Sequence, residues 1–248
     1  MIFRSKLWDG RKHYLDKMSL RDLVRAYVAY PAIRAYALLA VLSGGIAIYS
    51  ASSPWPALIA VAAAGLVYAP VWYLLHRFVL HGRFLYRSPR TAAIWKRVHF
   101  DHHQDPNDLG VLFGALYTTL PTIVVVTLPL GWLIGGLAGS MAALSAALVV
   151  TCFYEFCHCI QHLAYTPKSA FLRRIKKLHL AHHFHNETGN FGITSFACDR
   201  LLGTFYPHPR QVPRSATVFD LGYNGDEIEK FPWVARMSAP AAKQAGGD

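Results

Sequence analysis

The sequence predicts an all-α integral membrane protein, with four transmembrane helices arranged as two hairpins beneath a cytoplasmic, histidine-rich metal-binding cap. Three observations predict it. Asp, Glu, Lys and Arg are absent from the 42 residues between Arg34 and Arg77 and from the 46 between Asp108 and Glu155. Each of these stretches is broken near its middle. Ten of the 13 histidines fall in four tight groups, each at or just beyond the cytoplasmic end of a hairpin.

The elements follow in order. Residues 1–32 form a basic N-terminal segment, amphipathic from Met1 to Arg25. One bilayer crossing needs about 20 apolar residues, so each charge-free stretch is long enough to cross twice. The first is interrupted by Ser50-Ala51-Ser52-Ser53-Pro54-Trp55-Pro56 and the second by Gly131 through Ser140. The expected helices lie near 33–50, 54–76, 111–131 and 137–157. Buried helices of a soluble bundle rarely run so far without a solvated charge. Charged residues make up only 16% of the chain, against about 25% in soluble domains. The membrane domain is expected to span 33–206, and 207–248 reads as an extended, Pro-rich and polar C-terminal tail with no visible chemistry.

The net charge of +11 agrees with this layout. Eight Lys/Arg precede the first stretch, six lie between the two, and eleven follow the second. By the positive-inside rule both termini and the histidine groups face the cytoplasm, in a bacterial inner membrane or the endoplasmic reticulum. The run Lys168 to Lys177 would meet anionic headgroups. Nucleic acid is not an expected partner, because a polytopic membrane chain without an RNA or DNA motif explains the basic balance by its loops. Cys152, Cys157, Cys159 and Cys198 are too few to form a disulfide scaffold, and on this topology they lie near a reducing compartment.

The histidine spacing carries the chemistry. His76 and His81 form HxxxxH, His99, His102 and His103 form HxxHH, His158 and His162 form HxxxH, and His179, His182 and His183 form a second HxxHH. Residues at i, i+3 and i+4 share one helix face, so HxxHH points three imidazoles in one direction and HxxxH two. HxxxxH advances about 140° around an α-helix, so its rings converge only where the helix ends or bends. Two imidazolium charges about 5 Å apart repel by roughly 3 kcal/mol at an effective dielectric near 20. Metal ligation instead keeps each ring neutral and uses its lone pair. One ion takes about four to six ligands, so ten histidines imply two ions. Nitrogen ligation alone suits iron, zinc, copper and nickel, and a purified sample could carry zinc where the working protein uses iron. Haem ligation needs two to four histidines within the helices, not ten crowded at their ends. A zinc protease would show HExxH, which is absent. His13, His185 and His208 look incidental, and Cys157 and Cys159 look like packing residues.

The four groups, in this order and at these intervals, resemble the fatty acid hydroxylase / sterol desaturase superfamily of membrane di-iron oxygenases. The resemblance runs from about His76 to Tyr206 and includes more than histidine. Tyr154-Glu155-Phe156-Cys157-His158 is similar to that family's Tyr-Asp-x-x-His stretch, with Glu155 where Asp is usual. Asn186, then Asn190-Phe191-Gly192-Ile193-Thr194-Ser195, resemble its Gly-x-Thr-Ser segment, and Asp199-Arg200-Leu201-Leu202-Gly203-Thr204 its Asp-Arg-x-x-Gly-Thr motif. The extra HxxxH makes the pattern more similar to fatty acid 2-hydroxylases than to acyl desaturases.

The resemblance implies two iron ions on the ten clustered histidines, O2 as oxidant, a membrane lipid as substrate, and electrons from a separate electron-transfer protein or reductase. Glu155, Asp101, Asn186 and Asp199 are then candidates to orient the ligands, Glu155 by reaching His158 one turn away. Trp72, Tyr73, Phe78, Phe153 and Phe156 are expected walls of the lipid site. The implied reaction is hydroxylation of an acyl chain, sterol or related lipid. A desaturase of the same superfamily differs from it by one hydrogen abstraction. A metal- or haem-bearing electron-transfer membrane protein without substrate chemistry is the reading from another class.

Overall fold

The computed structural model describes residues 12–238, and apart from one isolated bridge between Tyr14 and Asp108 the described residues are helices and connecting loops. The start of the basic N-terminal segment, 1–11, and the end of the expected tail, 239–248, lie outside the described residues. A short strap precedes the first helix. Leu15 N donates to Asn107 O at 2.8 Å and Ala164 N donates to Leu15 O at 3.0 Å, tying the strap to two distant loops. α1 (Leu20–Ala29) begins at a capping box, in which Ser19 and Asp22 satisfy each other's backbone N–H groups. It buries Leu23, Ala26 and Tyr27 and leaves Val24 and Val28 exposed. The Tyr27 hydroxyl donates to the carbonyl of Cys152.

α2 (Pro31–Ser50) and α3 (Pro54–Leu74) each start with proline at the first helical turn, where its missing N–H is not needed. Both are apolar around their whole circumference: Val41, Ile48 and Tyr49 on α2 and Leu66 on α3 are exposed while neighbouring turns are buried. Soluble helices show one apolar stripe, whereas these present apolar side chains to both protein and surroundings. Among the described residues, three helical segments are long and apolar enough to cross a membrane: Pro31–Ser50, Pro54–Leu80 and Leu109–His162.

Beyond α3 come α4 (Pro89–Trp95), α5 (Asp101–Gln104) and α6 (Leu109–Leu112), followed by the long α7 (Leu116–His162). α7 is not straight. The backbone leaves helical geometry at Gly135 (φ −156°, ψ 31°) and Gly136 (φ 56°, ψ −138°), and the latter is a conformation that favours glycine. Ser140 Oγ donates to Leu128 O at 2.9 Å, although 12 residues of straight helix would separate them by about 18 Å. A Cβ on Gly131 would lie 2.3 Å from Gly139 O, so the two arms touch backbone to backbone where side chains are absent. The arms 116–134 and 137–162 thus form the second hairpin, turning inside the expected break.

Small residues let the helices approach closely, as is usual between apolar helices. Ala60 and Ala64 of α3 meet Ala143 of α7, and Ser145 Oγ of α7 donates to Ala40 O of α2 at 2.8 Å.

Two expected boundaries shift. The third helix starts at Leu116 rather than near 111, because Leu109–Leu112 is a separate turn capped by Asp108 and the chain at Phe113 and Ala115 is extended. The fourth continues through His162 instead of stopping near 157. The largest correction concerns 207–248. Its described part is no extended tail: α10 (Asp226–Lys230) and α11 (Trp233–Ser238) fold back so that Leu221, Tyr223 and Val234 bury against Tyr86, Trp95 and Phe100. Trp233 Nε1 donates to Tyr86 O at 2.5 Å and Tyr223 Oη to Phe231 O at 2.7 Å. These aromatics fall at irregular intervals, so no helix or strand period marks them in the sequence. α8 (Ala170–Phe184) and α9 (Ala197–Leu201) complete the fold beside the end of α7.

Candidate metal centre

The ten histidines meet in two adjoining groups. His76, His81, His99, His103 and His182 form one; His102, His158, His162, His179 and His183 form the other. Within each group one ring nitrogen per residue lies within 4.8 Å of all the others. The groups touch where the rings of His103 and His183 stack with centroids 4.2 Å apart.

Local helix geometry explains the sorting. The helix ends between His76 and His81, as the spacing requires, with His81 as its C-cap. It widens into a π turn over Leu75–Leu80, in which His81 N donates to His76 O at 3.0 Å. An i→i+5 turn brings residues five apart onto nearly the same face, so the HxxxxH rings converge. A second π turn, Lys96–Phe100, carries His99. The HxxHH triplets do not act as units. In each, the i and i+4 rings (His99 with His103, His179 with His183) serve one group, and the i+3 ring (His102, His182) crosses to the other. α-Helical rows at i+3 and i+4 diverge in opposite directions from residue i, and two neighbouring centres make use of that divergence.

The imidazoles are buried, with His103, His179, His182 and His183 at 0% exposure; only His81 is half-buried. Burial opposes the charged ring, and neighbouring histidines oppose it further. Accordingly His81, His99, His102, His179, His182 and His183 are held well below the ordinary histidine value, and His103 falls to about 3. These rings are neutral near pH 7.

Three members of the first group are fixed by backbone carbonyls. His76 Nδ1 lies 2.6 Å from Phe191 O, His103 Nδ1 2.9 Å from Val218 O, and His182 Nδ1 2.8 Å from Gly189 O. A carbonyl only accepts, so each Nδ1 carries the hydrogen and each Nε2 presents a lone pair. Nε2 of His103 and of His182 is buried without a partner. In the second group Nε2 faces Nε2, at 3.0 Å for His102 with His158 and 2.9 Å for His162 with His179, and both nitrogens of His183 lack partners. Buried polar atoms left unpaired are costly, and a shared cation would satisfy all of them. Nitrogen–metal distances near 2.1 Å put opposite ligands about 4.2 Å apart, within the spread of each group. The donor set therefore fits two ions, one per group.

The other candidates act less directly than expected. Asp199 accepts from Phe191 N at 2.8 Å, Gly192 N at 2.9 Å and Thr204 Oγ1 at 2.8 Å. It holds the peptide whose carbonyl holds His76, and its burial raises its pKa against those three donors. Asn186 accepts from Thr188 N and Thr188 Oγ1 and donates to Pro213 O, shaping the loop that carries Gly189. Asp101 pairs with Lys96 at 2.6 Å rather than with a histidine. Glu155 does not orient His158: Gly114 N donates to its Oε1 at 3.3 Å, and its buried Oε2 is unpaired. His185 lies 2.9 Å from Val212 O and His208 lies 3.2 Å from Lys177 Nζ, both outside the two groups. The carbonyls of Gly189, Phe191 and Val218 have no signature in a sequence, since every residue has one. Glu187, which accepts from Ser215 and Thr217 beside Val218, is a further residue not singled out above.

An apolar cavity of about 250 Å³ reaches both groups. His76, His99, His102, His158, His179 and His183 form its polar end, and Tyr68, Trp72, Leu75, Val79, Leu112 and Tyr154 are among its walls. Of the five expected wall residues only Trp72 lines it. Tyr73 is tied to Thr204 at 2.9 Å, Phe156 packs on Tyr27, and Phe78 and Phe153 point outward at 53% exposure each.

Comparisons with known proteins agree with this site. Residues 61–204 match the fatty acid hydroxylase family model. The chain is similar to the ceramide very long chain fatty acid hydroxylase SCS7 of Saccharomyces cerevisiae, 33% identical over 56% of this chain and 36% of that protein. It is also similar to the dihydroceramide fatty acyl 2-hydroxylase FAH2 of Arabidopsis thaliana, 30% identical over 58% of this chain and 59% of that one. The fatty acid 2-hydroxylase of Rattus norvegicus is 27% identical over 57% of this chain and 38% of its own length. The chain therefore covers less than two thirds of each of these relatives. A solved structure described as full-length scs7p, with only its hydroxylase domain visible, superposes with a TM-score of 0.63 at 27% identity, over 76% of this chain and 69% of that one. The family match covers more than half of the sequence and includes all ten of its clustered histidines and all but the last loop that anchors them: this chain belongs to the fatty acid hydroxylase family.

Proposed function

We propose that this chain is a membrane-bound hydroxylase that replaces one C–H hydrogen of a lipid acyl chain with a hydroxyl group. The observation that carries the reading is that members of both five-histidine groups line one apolar cavity. The relatives named for fatty acyl and ceramide hydroxylation support a substrate of that class and the carbon beside the acyl carbonyl as the position. Hydroxylation consumes one O2, two electrons and two protons per lipid and releases one water, so an external electron donor is required. Two iron ions, when bound, would supply the redox chemistry by which O2 is used.

The residues do the rest. The carbonyl-anchored rings of His76, His103 and His182 are set before any ion arrives, and this preorganisation fixes where oxidation occurs. Trp72, Tyr68 and Tyr154 pack against one another along the cavity with centroids about 6 Å apart and give the acyl chain a rigid, dry wall. For the membrane arrangement we favour four crossings, the two arms of α7 counting as two, with the histidine cap and both termini in the cytoplasm. The distribution of Lys and Arg supports it.

Mass spectrometry of total lipid from cells with and without the chain tests the proposal. One lipid class should gain a single oxygen, and His183→Ala should abolish that gain. A loss of two hydrogens instead would make the chain a desaturase, and no change in any class despite full iron loading would overturn the reading.

A further inference from the structure

Glu155 is the one carboxylate among the described residues that line the cavity, and it is 5% exposed. Most other polar groups of the lining are spoken for. Tyr68 Oη donates to Thr151 Oγ1 at 3.0 Å, Thr118 Oγ1 to Ala115 O at 2.8 Å, Thr122 Oγ1 to Thr118 O at 2.9 Å and Trp95 Nε1 to Leu80 O at 2.9 Å. Glu155 has only the long bond from Gly114 N, and Oε2 has no partner. A Cβ at Gly114 would lie 2.6 Å from Thr119 Oγ1 and 3.0 Å from Glu155 Oε1, so the absent side chain leaves the backbone seated against this carboxylate.

Glu155 and His158 are one turn apart on α7, with Cβ atoms about 5–6 Å from each other. A donor bonded to Glu155 would therefore sit only a few bonds from a carbon presented to the histidines. A buried acceptor without a protein partner favours whichever occupant of the cavity completes it.

We propose that Glu155 is a specificity residue: its carboxylate accepts a hydrogen bond from an N–H or O–H donor beside the acyl carbonyl of the lipid, so that lipids with such a donor are preferred over simple esters. This rests on the proposed lipid-hydroxylase reading and adds to it the feature by which the substrate is chosen.

Binding can be read without turnover, because Trp72 and Trp95 line the cavity. The full chain in detergent would be titrated with lipids brominated on one common acyl chain, and quenching of tryptophan fluorescence followed. The four lipids are a secondary N-acyl amide, its N-methylated form, a monoacylglycerol and a methyl ester. The secondary amide should bind about tenfold more tightly than the N-methylated amide and the ester, the size expected of a hydrogen bond to a buried acceptor. Glu155→Leu should bring every lipid to the affinity of the ester, and Glu155→Gln, which keeps an acceptor, should retain the order. Tight binding by the monoacylglycerol but not the amide assigns the donor to a hydroxyl. Equal affinities in the wild-type chain, or a preference that survives Glu155→Leu, would overturn the assignment while leaving hydroxylation intact. If Glu155→Leu fails to fold, the wild-type comparison of the two amides decides alone. Quenching by none of the four would remove the lipid-hydroxylase reading together with this one.

Discussion

Loops hold the group around His81, whereas helices hold the group around His183. In the first, His76, His103 and His182 are each aimed by a carbonyl of a non-helical segment. In the second, four of the five rings project from α7 and α8, and burial in the helix interface does the aiming. The difference teaches where each centre is vulnerable. A loop-held ligand depends on residues that never touch it, because its orientation is passed through a peptide. A helix-held ligand depends on the packing of the helix that carries it, and it has little freedom to lose.

The comparison is broken most severely at its junction. His183 has no hydrogen-bond partner on either nitrogen and stacks on His103 of the other group. His183→Ala should reduce hydroxylated lipid to background and lower bound metal, measured by mass spectrometry of the protein's metal content, from two ions per chain to one or fewer. Retention of two ions would show that the two groups are not two sites.

Acid should act next most strongly, and on both groups. Seven of the rings, among them His99 and His179, have folded pKa values depressed below the ordinary 6.5, with burial as the first cause. Below pH 6.5 the unfolded chain binds protons that the folded chain refuses. The stabilisation is therefore complete above 6.5 and lost as pH falls, at about 1.4 kcal/mol per pH unit for each ring. The melting temperature of the metal-free protein should drop steeply between pH 6.5 and 5 and change little between 7 and 8. A flat profile would mean that the rings titrate freely in the fold.

Asp199→Ala sharpens the contrast between loop and helix. It removes the acceptor for Phe191 N, Gly192 N and Thr204 Oγ1 and so loosens the carbonyl that aims His76. Metal affinity of the first group should fall by about 10–100-fold, the usual cost of losing a partner that orients a ligand. Equilibrium titration with a chelator should show one weakened ion and one unchanged. Equal weakening of both would make the groups a single cooperative unit. Asp101→Asn should do least. It removes a partly solvated ion pair with Lys96, which is worth about 0–1 kcal/mol. Metal content and lipid product should stay within error of wild type, and a large loss would return Asp101 to the histidines.

Much of the centre is legible in the sequence because its determinants are short-range. HxxHH and HxxxH place rings on helix faces whatever the remainder of the chain does, and a long stretch without charge reports its apolar environment directly. The second hairpin is legible for the same reason, since Gly135 and Gly136 permit the turn. Asp101 was the reverse case: it lies inside an HxxHH box, yet its neighbour Lys96 on the preceding turn claims it.

What the sequence by itself determined is the membrane character of the helices, the ten nitrogen donors and their grouping along the chain, because these follow from residue type and local periodicity. Only the tertiary structure decided how the triplets divide between two centres, which way Glu155 and Asp199 turn, and that residues 207–238 return to aim His103. Those outcomes depend on helix register and on backbone carbonyls. Carbonyls are identical in every residue, and register is set by contacts between segments that are far apart in the chain.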